Sequence, residues 1–507
     1  MKTIQILIIL MFLGNTAASG IEYNIKDFGA VENKNATLSI QKAIDSCYQN
    51  GGGTVVVPSG TFIVGAIILK SNINLYLAHG AELKSSENLN DFIIASSGYG
   101  MIFCQDATNV SITGEGTING MGPNFYETDQ NHLYPEFDKK IIRQREGYMP
   151  EGTFFTDGPL KRKPMPGTML VFFHCNHVSI RNITIKDSPG WSTRFGYCDD
   201  ILIDGLTILN NLMIPNCDGI HLTVSRNVRI ANCDIRAGDD AIAVTGFTRI
   251  GEPTPGFDSK EQDNFVHGNK TIYAENIQVD NCHLQSRSSA IRIGYGQHPI
   301  RRCIFSNIVI SESNRGIGIY ARDASSIEDL IFSNIIIETR LHNGQWWGHG
   351  EPIHLSVISR YEGKPVGQIK NVQFNNITAT GEQGIFFYGL KESHMANIQL
   401  NNVQLHLKKG KETMGYGGNF DLRPAARIEN QIFEHDIPGI YAQYVDNIAI
   451  RDFRLTWTND LPSFFTDGIE CLGVKDLLLE DFGGTPNPNS PKSQKVRLLE
   501  TTLRKVK

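Results

Sequence analysis

Apolar and polar positions alternate along this chain in short bursts of one form: apolar-x-apolar-x-Asn/Asp/Gly-apolar-x-apolar. The burst runs from Val178 to Ile185, from Ile201 to Ile208 and from Val228 to Ile235. It starts again at Ile277, Cys303, Leu330, Val372, Ile398, Ile448 and Leu477. Successive starts lie 23 to 29 residues apart, or 42 to 50 where a loop or a second unit intervenes. Period-two alternation predicts strands. A strand this short cannot bury a face alone, and a unit of this length suits the coil of a solenoid. The central polar position is Asn182, Asn232, Asn307, Asn334, Asn376 or Asn402, with Gly205, Asp452 and Asp481 as variants. These residue types tolerate the left-handed backbone of a tight corner. Stacked coils align them into a ladder of side-chain amides. The pattern predicts an all-β, single-stranded parallel β-helix. Leucine-rich and helical solenoids need helical stretches that are absent, and no repeat fits the blade of a propeller.

An open end of such a stack invites pairing with another chain. Leu38, Ile40, Ala43, Ile44 and Cys47 fall near helical spacing within Thr37–Gln49, and Gly51-Gly52-Gly53 ends the run, which predicts an N-terminal capping helix. The β-helix is expected over residues 20–484, with 485–507, rich in Pro, Ser and Lys, as a loose C-terminal tail. The long interruption from Met121 to Met169 reads as a lid over a cleft or as a surface excursion.

Composition narrows the partners. A net charge of -6 argues against nucleic acid, and 40% hydrophobic residues supply an ordinary soluble core. Lys2, the apolar run Ile4 to Leu13 and the small residues Thr16 to Gly20 read as a signal peptide over residues 1–19. The run is too short for a membrane span, so export to the periplasm or the extracellular space is expected. The nine cysteines are scattered, several within apolar strands, and read as buried thiols. No Cys or His spacing suggests a metal, no cofactor is expected, and the chain reads as a monomer.

The chemistry concentrates in Pro215-Asn216-Cys217-Asp218-Gly219-Ile220-His221 and Gly238-Asp239-Asp240. Asp218 and Asp240 are 22 residues apart, about one coil, so stacking sets them side by side at a strand spacing of about 4.8 Å. Adjacent strand residues point to opposite faces, so a bulge at Gly238 is expected to turn Asp239 and Asp240 outward together. Crowded carboxylates raise one another's pKa. Glycoside hydrolysis uses such a split, with one carboxyl protonated and another ionised. His221, by strand alternation, points away from Asp218, which suggests a hydrogen-bonded structural role.

These residues resemble glycoside hydrolase family 28, the polygalacturonase family of right-handed, pectin-lyase-like β-helices. Asp27-Phe28-Gly29-Ala30, Gly51 to Pro58 and Gly60-Thr61-Phe62 match its opening pattern. Asp187-Ser188-Pro189-Gly190-Trp191 is similar to its Ser-Pro-x-Trp segment. Pro215 to Leu222 resembles its Pro-Asn-Thr-Asp-Gly-Ile-His run with Cys217 in place of Thr, and Gly238 to Ile242 matches its Gly-Asp-Asp motif. The resemblance implies inversion, with Asp239 as general acid and Asp218 and Asp240 holding and activating water. Two motifs are missing. Ser288-Ser289-Ala290 stands where the family has Gly-His-Gly, and Gly318-Ile319-Tyr320 where it has Arg-Ile-Lys. In the family that Arg and Lys hold the substrate carboxylate. Here Arg287, Arg292, Arg315 and Arg322 are the candidate replacements, with Tyr320 as a ring contact and His221 as a further substrate-binding candidate. Trp346-Trp347 on an insertion suits either sugar stacking or loop packing. The expected substrate is a plant cell-wall pectic polysaccharide or oligosaccharide with an α-linked galacturonide, including a rhamnogalacturonan linkage or branch. The insertions favour a pocket and exo action. The alternatives are a β-helical polysaccharide lyase and a non-catalytic carbohydrate-binding β-helix.

Overall fold

The structure, a computed structural model, describes residues 22–94, 97–98, 100–132, 154–247 and 272–504. The signal peptide expected over residues 1–19 lies outside the described residues. Two long parallel sheets dominate, one of 20 strands and one of 13. Successive strands along the chain pair with the coil before and the coil after. The parallel β-helix expected from the repeat is the fold.

The 20-stranded sheet turns its corner at the central polar position of each repeat. Asn182, Asn232, Asn307, Asn334, Asn376 and Asn402 all have φ between 51° and 57°. Their side chains form the expected ladder: Asn402 donates to Asn376 (2.9 Å), Asn376 to Asn334 (3.0 Å), Asn334 to Asn307 (3.1 Å) and Asn307 to Asp280 (2.8 Å). A second ladder runs beside it, from Asn447 to Asn397, Asn371 and Asp329 (2.6, 2.8 and 2.8 Å). Its members occupy the residue just before each repeat start.

The interior is a set of aligned columns. Ile220, Ile242, Ile291 and Ile317 are in register on the 13-stranded sheet, followed by Ile353. On the facing sheet the rings of Phe305, Phe332 and Phe374 stack at 5.0 Å between centroids. Each fully buried side chain of this kind contributes about 1.5–3 kcal/mol. All nine cysteines are buried free thiols, in line with the sequence reading. Among the described residues no helix is long and apolar enough to cross a membrane.

Helix Thr37–Gln49 closes the N-terminal end. Ile40, Ala43, Ile44 and Cys47 are buried, while Leu38, counted in the same stripe, is 76% exposed. Gln41 completes the cap chemically. Its amide accepts from Ile68 N (2.8 Å) and donates to Ile68 O (3.2 Å), so it stands in for a neighbouring strand at the open edge. The C-terminal end departs from expectation. Val496–Leu499 pairs in parallel with Ile469–Leu472, so the segment after Gly484 adds a further coil. Asn487 anchors it by donating to Pro462 O and Phe465 O (3.1 and 3.0 Å).

Candidate active site

The outer face of the 13-stranded sheet carries a column of side chains in register: Arg194, His221, Ala243, Arg292, Gly318 and His354. The three carboxylates sit at the end of this face, in turns that lead into its strands. Asp218 precedes strand Ile220–Thr223, and Asp239 and Asp240 lie between Asp234–Ala237 and Ile242–Gly246. Ile220 pairs with Ile242, and Gly219 N donates to Asp240 O (2.9 Å), so Asp218 and Asp240 stack as their spacing predicts. Close approach of the turns demands glycine. A Cβ on Gly238 would lie 2.1 Å from Ile214 O, and one on Gly219 2.4 Å from Ala241 O. Asp239 and Asp240 share a side because they lie in a turn, where strand alternation does not apply; no bulge within a strand is needed.

The electrostatics of the cluster are uneven. Asp218 is 2% exposed and Asp240 3%. Asp240 Oδ2 lies 2.6 Å from Arg292 Nε, an ion pair in which the N–H is not aimed at the oxygen, and Oδ1 accepts from Ser289 N (3.1 Å). Asp239 Oδ2 accepts from Asn216 N (3.2 Å), and Oδ1 from Asp240 N (2.9 Å). Burial, then the Asp240 charge, pushes the Asp239 carboxyl up to about 7. Burial, with Asp239 and Asp240 adding, pushes Asp218 well above the carboxylate range. Burial works against the Arg292 charge, but Asp240 outweighs it and holds that guanidinium more firmly protonated than usual. The cluster therefore retains a proton where an isolated carboxylate would not.

His221 corrects the sequence reading. It does not point away from Asp218; its Nδ1 is 3.0 Å from Asp218 Oδ2, because Asp218 and Gly219 belong to the turn and lie outside the strand count. Burial, then Arg292 and Arg194, holds the ring neutral. Its Nε2 lies 3.3 Å from Thr245 Oγ1, so one ring nitrogen meets the acid and the other a buried hydroxyl. Trp191 stacks on the same ring at 3.8 Å and 20°.

The other predicted binding residues lie deeper. Tyr320 and Arg322 are almost fully buried. The Tyr320 hydroxyl takes a hydrogen bond from Arg315 Nη1 (2.7 Å) and meets Ser289 Oγ (3.2 Å). Arg322 donates to Ser356 O, Ser356 Oγ and Leu422 O (2.9, 2.9 and 3.2 Å). Arg315 is paired with Glu351 (3.1 Å) and faces Asp421 (3.9 Å). Arg287 faces Asp157 at 3.8 Å. Of the expected carboxylate-binding cations, Arg292 alone touches the acid cluster directly. Trp191, Arg194, Glu351 and Asp421 also shape the site and were not singled out by the sequence. Trp191 stood within a quoted motif, and Arg194 follows it by three residues.

Inserted segments wall the face. The hairpin of Tyr126–Asn131 and Leu160–Arg162 packs on Ile214 and Cys217, and Arg162 donates to Asn216 Oδ1 (2.8 Å). Trp346 is packed away with Nε1 donating to Asp157 O (3.2 Å), while Trp347 remains half-buried beneath Arg423. The short hairpin of Phe420–Asp421 and Ile432–Phe433 lies over Phe386, whose ring stacks on Phe420 at 3.9 Å. Among the described residues no three His, Cys, Asp or Glu side chains are grouped as metal ligands.

Residues 151–324 match the family model described as glycosyl hydrolases family 28. A probable polygalacturonase of Vitis vinifera is 28% identical over 241 residues, a match covering 44% of this chain and 43% of that protein, less than half its length. A polygalacturonase of Persea americana is 22% identical over 423 residues, covering 79% of this chain and 77% of that protein. Among solved structures, a Yersinia enterocolitica family 28 exopolygalacturonase superposes with a TM-score of 0.60 at 18% identity, covering 91% of this chain and 78% of that one. That likeness concerns the fold, a right-handed parallel β-helix.

Proposed function

We propose that this chain, a member of glycosyl hydrolases family 28, hydrolyses an α-linked galacturonide bond in pectic polysaccharide or oligosaccharide. The observation that carries this reading is the uneven cluster: Asp239 pushed up to about 7 beside Asp240 paired at 2.6 Å with Arg292. Asp239 gives its proton to the leaving glycosidic oxygen as the bond to the anomeric carbon breaks. A water held by Asp218 and Asp240 adds to that carbon from the other side, and its proton passes to Asp240. His221 backs Asp218, and the Ser289 N–H keeps Asp240 in place. Inversion at the anomeric carbon is part of the proposal. The walls formed by the two hairpins and the Trp346 loop favour a pocket and release from a chain end. The apolar leader supports export, and the chain acts as a monomer.

The test is incubation with homogalacturonan and rhamnogalacturonan oligomers, with products identified by mass and by the anomeric signal at first turnover. Saturated mono- or digalacturonate released with inverted configuration is expected. An unsaturated product absorbing near 235 nm would assign a lyase instead, and no cleavage of any pectic fraction would sink the reading.

The pH dependence follows in sign. The general acid works while protonated, so kcat/KM is expected to fall as pH rises through about 7. The same group has a folded pKa above its unfolded value of 3.8, so the folded state binds the extra proton between the two. The contribution of this group to stability is then expected to decline from about pH 4 to about pH 7 and to level off above. A pH–rate profile whose upper limb lies near 5 would contradict the assignment.

A further inference from the structure

The arginines of the site divide by how their charge is met. Arg292 is paired with Asp240, Arg315 with Glu351, and Arg423 with Asp421 (2.7 Å). Arg322 gives three hydrogen bonds to Ser356 and Leu422. Arg194 stands apart. It is 6% exposed, and its Nε and Nη2 are buried without a hydrogen-bond partner. Among the described residues no carboxylate pairs with it. Burial pushes its guanidinium down to about 9, with Tyr197 acting in the opposite sense, so the charge is still present at neutral pH.

Its place is equally specific. Arg194 is in direct register with His221 on the outer face of the 13-stranded sheet. Its guanidinium lies over the Trp191 ring at 5.3 Å, and Trp191 stacks on His221, which meets Asp218. The charge is thus one coil, about 4.8 Å, toward the N-terminal side of the His221–Asp218 pair. Arg292 lies on the other side of that pair, beyond Ala243. A ring contact alone compensates little of the desolvation of a buried guanidinium. A bound carboxylate would offset part of that cost, and a planar guanidinium is suited to one.

We propose that Arg194 is the specificity-determining cation of this site, receiving the carboxylate of the uronate unit that lies on the N-terminal side of Asp218. The proposal rests on the galacturonide reading and supplies the cation that the missing family Arg and Lys leave unassigned. The substrate is held by a guanidinium on the side of the acids opposite to Ser289 and Tyr320. A neutral hexose at that position leaves Arg194 unpaired, so selection for uronate over its ester or a neutral sugar comes from this one residue.

The test uses binding, separate from turnover. Trigalacturonate and its fully methyl-esterified form are titrated by calorimetry into Asp239→Asn, alone and combined with Arg194→Gln or Arg194→Lys. Arg194→Gln is expected to weaken trigalacturonate by about 10- to 100-fold. It is expected to leave the ester within about 3-fold, and Arg194→Lys, which keeps the charge without the fork, to fall between. Equal weakening of both ligands would assign Arg194 to holding Trp191 against His221 and overturn the proposal, as would unchanged binding of trigalacturonate. Thermal melts check the fold of each variant, and Arg194→Lys carries the comparison if Arg194→Gln does not fold. Failure of the wild-type protein to cleave any galacturonide would sink the hydrolase reading alone, because the charge-selective binding is measured independently.

Discussion

Asp239→Asn is expected to lower kcat on pectic oligosaccharides by roughly 10²- to 10⁴-fold while leaving the fold intact. The substitution is close to isosteric, and the amide cannot give up a proton to the leaving oxygen. Its carbonyl oxygen can keep one of the two backbone contacts of the carboxylate, to Asn216 N or to Asp240 N. The amide nitrogen then faces the other N–H, a local cost of about 1–3 kcal/mol. Thermal melts separate that cost from the catalytic one. Two further readouts are specific to a general acid. An aryl galacturonide, whose leaving group needs no protonation, should lose far less activity than the natural substrate. The upper pH limb near 7 should also vanish. A variant that keeps more than a tenth of wild-type kcat, or that loses equally on both substrates, would take the proton-donor role from Asp239.

The repeat pattern carried most of the fold because strand period, corner chemistry and coil length all point the same way. Asn182, Asn232 and their counterparts sit at φ near 55° because a tight corner leaves little choice. The second ladder was equally legible. Asn371, Asn397 and Asn447 each precede a repeat start, one position outside the alternating core of the pattern. The 22-residue interval located Asp218 beside Asp240 for a physical reason: it equals the register step between Ile220 and Ile242. Strand alternation misplaces His221 because Asp218 and Gly219 belong to a turn, where alternation does not hold. The arginines were harder still. What neutralises Arg315 is Glu351, 36 residues on, and a carbonyl 106 residues on at Asp421. Both arrive on insertions whose path no local pattern sets. A cation that looks available in sequence is thus spent inside the wall, and one that attracts no notice, Arg194, is left with its charge unmet.

Glu351→Gln is expected to destabilise the protein by about 3–5 kcal/mol, the cost of leaving a buried guanidinium without its counter-charge. Glu351 is 0% exposed and takes hydrogen bonds from Arg315 Nη2 (3.1 Å) and His349 N (2.6 Å), with His354 Nδ1 at 3.2 Å. Burial acts to raise its pKa, but Arg315 and His354 prevail and hold it well below the usual carboxylate range. A depressed folded pKa means this stabilisation is present above the unfolded value of 4.5 and is lost only as pH falls through the folded one. Denaturant midpoints of wild type and variant at pH 7 measure it, and most of the gap should persist at pH 4 because the folded pKa lies well below 4.5. The double variant Arg315→Met, Glu351→Gln should recover much of the loss, because the unpaired charge is what costs and with both ions gone no buried charge is left uncompensated. The consequence reaches the acids by a short path. Arg315 holds the Tyr320 hydroxyl (2.7 Å), Tyr320 meets Ser289 Oγ (3.2 Å), and Ser289 N holds Asp240 (3.1 Å). Glu351→Gln should therefore reduce kcat more than it changes KM, and the double variant should restore stability without restoring kcat. A single variant losing less than about 1 kcal/mol, or a double variant that regains full kcat, would show that the buried pair serves the wall alone and leaves Asp240 untouched.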